Sequence, residues 1–192
     1  MHPKERFPIH PYTKHALADA LKDMLGTKTL DKITVKDLVE ACKLNRQTFY
    51  YHFQDIYDLL GWIYITEALG AIQNNKSYAT WQQGLLIILE YVESNKALCM
   101  NTCRSLGKEH LEMFLNQVLF ELLSNVINEV SDSRAISEKD KTFIVQFYSH
   151  AFAGTLLDWI EDGMKTPCEA IVNHIIRLMD GRFMDAVERF KI

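Results

Sequence analysis

One short segment of this chain concentrates side chains suited to contacting nucleic acid. In proteins that read DNA, arginine bonds to guanine edges, glutamine amides bond to adenine, and hydroxyl or imidazole groups bond to phosphate oxygens. Phe49 and Phe53 lie four residues apart, so on a helix they would face inward and leave the polar residues on the outer surface. The candidate DNA-contacting residues of this segment are Asn45, Arg46, Gln47, Thr48, Tyr50, Tyr51 and His52.

Two short helices are needed to position these side chains. The stretch Thr34–Asp37 has the residue pattern of a capping box, which predicts a helix that begins at Val35. A second N-cap residue, Asn45, follows after a turn of about three residues. Helices separated so tightly cannot lie antiparallel and must cross. The sequence therefore predicts a helix-turn-helix, the arrangement that places one helix in the major groove of DNA.

These segments resemble a known family. Residues 33–38 read Ile-Thr-Val-Lys-Asp-Leu and residues 45–53 read Asn-Arg-Gln-Thr-Phe-Tyr-Tyr-His-Phe, which is similar to the DNA-binding head of TetR family transcription regulators. The likeness spans roughly residues 10 to 64. It implies base contacts from Arg46 and Gln47, and it implies that Tyr51 contacts either bases or the DNA backbone. The backbone contacts that it implies come from Lys36, Thr48, Tyr50 and His52, and Thr34 is placed with them.

Two positions depart from the family pattern. Lys43 stands in the turn where the family usually has glycine, and Ile56 stands where it often has lysine. Further along, residues 53–64 and 156–160 are similar to a subgroup of dihydroxyacetone kinase operon regulators. That similarity extends the likeness over nearly the whole chain.

Composition favours an all-α fold. The chain has 192 residues, 48% of them hydrophobic, and it carries 8 glycines and 4 prolines, so a helical core can form with few breaks. We expect about nine helices and no strand. We expect two domains, a tail with the helix-turn-helix over residues 1–54 and a helical regulatory and dimerisation domain over residues 55–192.

The last two predicted helices carry apolar and small residues at helical spacing. This pattern favours a homodimer held by a four-helix interface, since a two-fold DNA site needs two heads. The alternative is that the stripe belongs to the core of one chain, which would explain part of it. The residues concerned are Phe143, Phe147, Ala151, Gly154, Ile171, Ile175, Leu178 and Met179.

Other residues admit a functional and a structural interpretation. Cys99 and Cys103, with His110 nearby, have a spacing that permits a metal or redox site, but two thiols alone are more typical of a reduced core. A set of large side chains either lines a ligand cavity or forms plain core, and the spacing favours core. These are Trp81, Tyr91, Met100, Phe114, Phe120 and Trp159. Because no catalytic or cofactor motif is present, we expect no enzyme activity, no cofactor and no metal.

Charge divides unevenly along the chain. The net charge is −4, yet the first 55 residues carry nine Lys or Arg against seven Asp or Glu, a mildly basic head on an acidic body. The N-terminus lacks a signal segment and no long apolar run occurs, so we expect a cytoplasmic protein that avoids membranes.

The function that the sequence favours is sequence-specific DNA binding by a homodimeric regulator. Its C-terminal domain would sense a small molecule or a partner protein. The alternative is a co-regulator that works through a protein partner and binds DNA weakly by itself. The operator, the effector and the sign of regulation stay open at this point.

Overall fold

The computed structural model describes residues 11–105, 107–132 and 135–191. Residues 1–10, which belong to the predicted N-terminal tail, lie outside this part. In these ranges every regular element is helical, which confirms the predicted all-α class. The elements are α1 (Pro11–Leu25), a 3-10 turn (Leu30–Lys32), α2 (Val35–Ala41), α3 (Arg46–His52), α4 (Ile56–Ile72), α5 (Trp81–Ser94), α6 (Lys96–Cys103), α7 (Lys108–Ser131), α8 (Glu138–Glu161), α9 (Cys168–Met179) and α10 (Arg182–Arg189).

The C-terminal end differs in detail from the expectation of two long closing helices. The last predicted helix is divided into α9 and α10, because Gly181 adopts a left-handed backbone with φ of +71°. A left-handed residue ends an α-helix, and the chain changes direction there. The described residues therefore contain ten α-helices where about nine were predicted.

Capping residues set the bounds of the two short helices. The hydroxyl of Thr34 accepts a hydrogen bond from the backbone N–H of Asp37, and the Asp37 carboxylate accepts one from the backbone N–H of Thr34. The side-chain oxygen of Asn45 accepts a bond from the backbone N–H of Thr48 at 2.7 Å. Both predicted caps are formed, and they fix where α2 and α3 begin.

The turn between α2 and α3 keeps a left-handed residue although it lacks glycine. Lys43 has φ of +54°, the conformation that glycine adopts at least cost. The backbone N–H of Leu44 donates to the carbonyl of Val39 at 2.7 Å, and that of Lys43 donates to Glu40 at 3.2 Å. This pair of bonds is the Schellman motif, which ends α2 and aims the chain toward α3.

Replacing Lys43 by glycine is expected to stabilise the protein. A left-handed conformation costs a residue with a Cβ about 1–2 kcal/mol, and the extra freedom of glycine in the unfolded chain offsets about 0.5–1 kcal/mol of that gain. We therefore expect the free energy of unfolding, measured by urea denaturation, to rise by about 0.5–1 kcal/mol. Lys43→Ala is the matched control, because alanine keeps the Cβ, and it should give no gain. Equal changes in the free energy of unfolding for the two substitutions would contradict backbone strain at Lys43.

A continuous core joins the head, which is the part up to residue 54 with α1 to α3, to the body, which is the part from α4 onward. Leu17, Leu21 and Leu25 form the buried stripe of α1, and Leu38 and Phe49 pack in the same cluster. The helix α4 begins directly after the head and packs against α1, α5 and α7. α7 and α8 make the most extensive helix pair of the body. The orientation of α2 and α3 thus depends on how α1 and α4 pack.

No helix of the described ranges combines the length and the apolar character needed to cross a bilayer.

Candidate nucleic-acid interface

The helix α3 has one buried and one exposed side. Phe49 is fully buried and Phe53 nearly so, with their ring centroids 6.0 Å apart. Tyr50 and Tyr51 are 58% and 66% exposed. Arg46 and Gln47 are exposed as well. The two phenylalanines therefore anchor the helix, and a continuous polar face points away from the protein.

Three of the predicted contact residues already hold hydrogen bonds within the head. The Thr34 hydroxyl donates to the Asp37 carboxylate at 2.6 Å. The Asn45 side-chain oxygen lies 3.0 Å from the Thr48 hydroxyl, which donates to it. These side chains fix the ends of α2 and α3, so they position the exposed face whether or not they touch DNA.

His52 is half-buried at the end of α3. Its ring meets Tyr51 edge-on at 5.1 Å and lies tilted over Phe53. Burial, followed by the positive charge of Lys14, lowers the pKa of His52 below its usual value. The lowered pKa favours the neutral imidazole, which can still exchange a hydrogen bond with a phosphate.

Lys36 and Asp37 bring opposite charges to the start of α2. The Lys36 ammonium lies 3.7 Å from the Glu40 carboxylate, one turn further along, and both side chains are exposed. The hydrogen bonds from Thr34 lower the pKa of Asp37. Because a surface ion pair contributes little, Lys36 can exchange Glu40 for a phosphate at small cost.

Lys14 of α1 was missed by the sequence reasoning. Its ammonium lies 5.2 Å from the ring centroid of Phe53 and 5.5 Å from that of Trp62, within the range of cation–π contacts. It adds a positive charge beside the end of α3. The sequence carries no signal for this contact, since it depends on how α1 packs against α4.

Half of the six large residues that could line a ligand cavity are buried, and Tyr91, Met100 and Phe120 are half-buried against the core. Trp81, Phe114 and Trp159 are buried. The Trp159 indole N–H donates to the carbonyl of Thr166 at 2.7 Å, so its polar atom is satisfied within the protein. This packing favours the core interpretation of these three residues.

The surroundings of Cys99 and His110 are those of packed structural residues. Cys99 is fully buried, and burial raises the pKa of its thiol to about 12. His110 stacks on Tyr57 with ring centroids 4.6 Å apart. Among the described residues, no group of three or more His, Cys, Asp or Glu is placed to hold a metal ion.

The stripe considered for dimerisation is divided between core and surface. On α9, Ile175 and Met179 are buried, so the single-chain alternative is right for them. Phe143 and Phe147 on α8 are 56% and 61% exposed, and Leu178 on α9 is exposed as well. The exposed part of the stripe on α8 is therefore apolar, and Phe143 lies against Phe190, which follows α10, with ring centroids 6.1 Å apart.

Comparison with known proteins gives two family matches. Residues 17–61 match the family described as "Bacterial regulatory proteins, tetR family", and residues 79–181 match "Transcriptional regulator C-terminal region". The chain is 29% identical over 169 residues to the HTH-type dhaKLM operon transcriptional activator DhaS of Lactococcus lactis subsp. lactis (strain IL1403). That alignment covers 87% of this chain and 88% of the relative.

Solved structures show the same architecture. The dihydroxyacetone kinase operon activator DhaS has a TM-score of 0.67 and 26% identity, covering 94% of this chain and 98% of its own. A TetR transcriptional regulator from Streptococcus agalactiae 2603V has a TM-score of 0.57 and 20% identity, covering 87% and 93%, and shows the fold alone. The two matched families place the chain in the TetR family of bacterial transcriptional regulators, with an N-terminal DNA-binding domain and a C-terminal regulatory domain.

Proposed function

We propose that this regulator binds its operator as a homodimer, with the α3 helix of each chain in one of two successive major grooves. The observation that carries the proposal is the exposed polar face of α3 above buried Phe49 and Phe53. In two-fold sites of this kind, the two recognition helices lie about 34–36 Å apart. The domain boundary near residue 54 separates this reading head from the body.

The residue roles follow from position and chemistry. Arg46 and Gln47 lie in the first turn of α3, where a helix docked by its N-terminal end meets base edges. Tyr51 contacts either a base or the backbone. Phosphates are contacted by Lys36, Thr48, Tyr50 and His52. Thr34 and Asn45 cap α2 and α3 and also contact the DNA backbone.

The surface on α8 supports the dimer. Phe143, Phe147, Ala151 and Gly154 follow one another at intervals of three or four residues on an exposed face of α8. At Gly154 a methyl group would meet nothing within 4 Å, so a second helix has room to approach there. A self-complementary helix face of this kind suits a two-fold interface.

Replacing Phe147 by aspartate is expected to dissociate the dimer. A charge at the centre of an apolar interface removes a contact worth about 2 kcal/mol or more, which raises the dissociation constant at least about 30-fold. Analytical ultracentrifugation measures the change. Met113→Asp is the matched control, because Met113 is 67% exposed on α7 and outside this face. A dimer that survives Phe147→Asp unchanged would contradict the proposed interface.

The similarity to DhaS supports a target operon. Because its relative is an activator of the dhaKLM operon, we propose that this chain regulates a dihydroxyacetone kinase operon in the cytoplasm. It acts there as a DNA-binding protein without catalytic activity. The body senses a small molecule or a partner protein by binding it unequally in two conformations that hold the heads differently.

Duplex binding at several salt concentrations tests this function against the co-regulator alternative. We expect affinity for the operator to exceed affinity for unrelated duplexes by about 10³-fold or more, and to fall steeply with salt. Weak binding that is equal for every sequence would favour the co-regulator. The Schellman turn at Lys43 supports the first outcome, because the helix-turn-helix is intact without the usual glycine.

A further inference from the structure

The helix α1 is the part of the head through which the body can hold α2 and α3. α2 packs on α1 and on α3, whereas α1 also packs on α4 and α6 of the body. A change in the angle of α1 against α4 and α6 therefore moves α2 and α3 as one unit. We call the surface between α1 and these two helices the seam.

One polar contact across the seam is centred on Glu67 of α4. The Lys22 ammonium of α1 donates to both carboxylate oxygens of Glu67, at 2.9 and 3.2 Å. The Tyr91 hydroxyl of α5 donates to the same carboxylate at 3.0 Å. Burial and the Glu67 charge raise the pKa of Tyr91, so its hydroxyl stays protonated and remains a donor. Glu67 thus ties one helix of the head to a second helix of the body.

A second contact lies at the end of α1. The side-chain amide of Asn101, on α6, donates to the carbonyl of Leu25 at 2.6 Å. Leu25 is the last residue of α1, and a carbonyl in that position has no partner within its own helix. A residue 76 positions further along the chain thus caps the helix of the head.

At a third point the backbone of Gly107 lies close to side chains of Leu30 and Thr102. A methyl group at Gly107, just before α7, would lie 2.9 Å from a methyl of Leu30 and 3.0 Å from a methyl of Thr102. Leu30 belongs to the head and is buried. Gly107 has φ of −80°, so a substitution there would act by steric contact and not by backbone strain.

From these contacts we propose that Glu67 and Asn101 are positioning residues for DNA binding, which hold α1 against the body and so fix the separation of the two reading helices in the dimer. Lys22 and Leu25 both lie in the last turn of α1, so the two attachments hold the C-terminal end of this helix against α4 and α6. Neither residue touches DNA. The inference rests on the dimer proposed above.

The test measures how sharply the dimer selects the spacing of its half-sites. Duplexes carry two half-sites, chosen by selection from a random pool, at the optimal separation or with one or two base pairs added or removed. The variants are Asn101→Ala and Glu67→Gln. Asn101→Ala removes the hydrogen bond to Leu25, and Glu67→Gln removes the charge and one of the two acceptor oxygens that Lys22 and Tyr91 use. Each change should reduce the affinity ratio between optimal and altered spacing roughly fivefold, with affinity for a single half-site unchanged.

Matched controls lose similar groups away from the seam. Asn125→Ala removes an amide that donates to Glu121 within α7, and Glu138→Gln removes a charge paired with Lys141 at the start of α8. Both should keep the ratio of the unmodified protein. Folding of every variant is checked by thermal unfolding.

A third variant keeps the test decisive if Asn101→Ala or Glu67→Gln does not fold. Gly107→Ala retains both polar contacts and crowds Leu30, where the 3-10 turn of the head meets the body beside the seam, so it should also reduce the spacing ratio. Folded seam variants that keep the original ratio overturn the positioning role. An unmodified protein without any preference for spacing would instead contradict the proposed dimeric function, which separates the two failures.

Discussion

Replacing Arg46 by alanine is expected to weaken operator binding by about 5- to 150-fold, which corresponds to about 1–3 kcal/mol. Arg46 is exposed in the first turn of α3, and a guanidinium there can bond to two acceptors of one guanine. Without the Arg46 guanidinium, no side chain distinguishes guanine from the other bases at the contacted position. Competition binding with single-base operator variants measures the affinity and the relaxed preference at that position.

Lys36→Ala is the matched control for this prediction. Lys36 is exposed on α2 and is proposed to contact a phosphate, so its loss should weaken binding to all sequences alike. It should also reduce the slope of log affinity against log salt by about one. Unchanged operator binding in both variants would contradict the assigned roles.

Replacing Phe49 by alanine should have the largest effect on stability. The side chain is fully buried, and it belongs to the core cluster that also contains Leu21 and Leu38 of the head. Removing a buried phenylalanine costs about 3–5 kcal/mol, a large part of the stability of an ordinary domain. DNA binding should be lost because α3 loses its anchor. Urea unfolding followed by circular dichroism measures the free energy of unfolding.

Tyr50→Ala distinguishes the anchor from the reading face. Tyr50 is the neighbour of Phe49 on α3, but it is mostly exposed. Removing the Tyr50 side chain should therefore change the free energy of unfolding by at most about 0.5–1 kcal/mol. The same substitution should still lower operator affinity. A small loss of stability in Phe49→Ala, comparable with that of Tyr50→Ala, would show that α3 is held in some other way.

Local signals in the sequence were sufficient to predict the helix-turn-helix. The caps at Thr34 and Asn45 act within four residues, so their hydrogen bonds follow from the sequence alone. The spacing of Phe49 and Phe53 likewise determined which side of α3 is buried. These features involve neighbouring residues, and they are therefore visible without a tertiary structure.

Contacts between distant segments were not predictable in the same way. The bond from Asn101 to Leu25 and the cation–π contact of Lys14 depend on how helices far apart in the chain pack together. The division of the last helix at Gly181 was missed because a single glycine inside an apolar pattern is compatible with a continuous helix. Ile175 and Leu178 show the same limit, since only packing decides which side of α9 is covered.

Selection of bound duplexes from a random pool tests the central claim most directly. We expect enrichment of one inverted repeat whose half-site centres lie about 10 base pairs apart, the separation of successive major grooves. The same selection with Arg46→Ala should lose preference at one position in each half-site. A pool that shows no enrichment, or one whose enriched sequence does not change in Arg46→Ala, would contradict reading of DNA by the exposed face of α3.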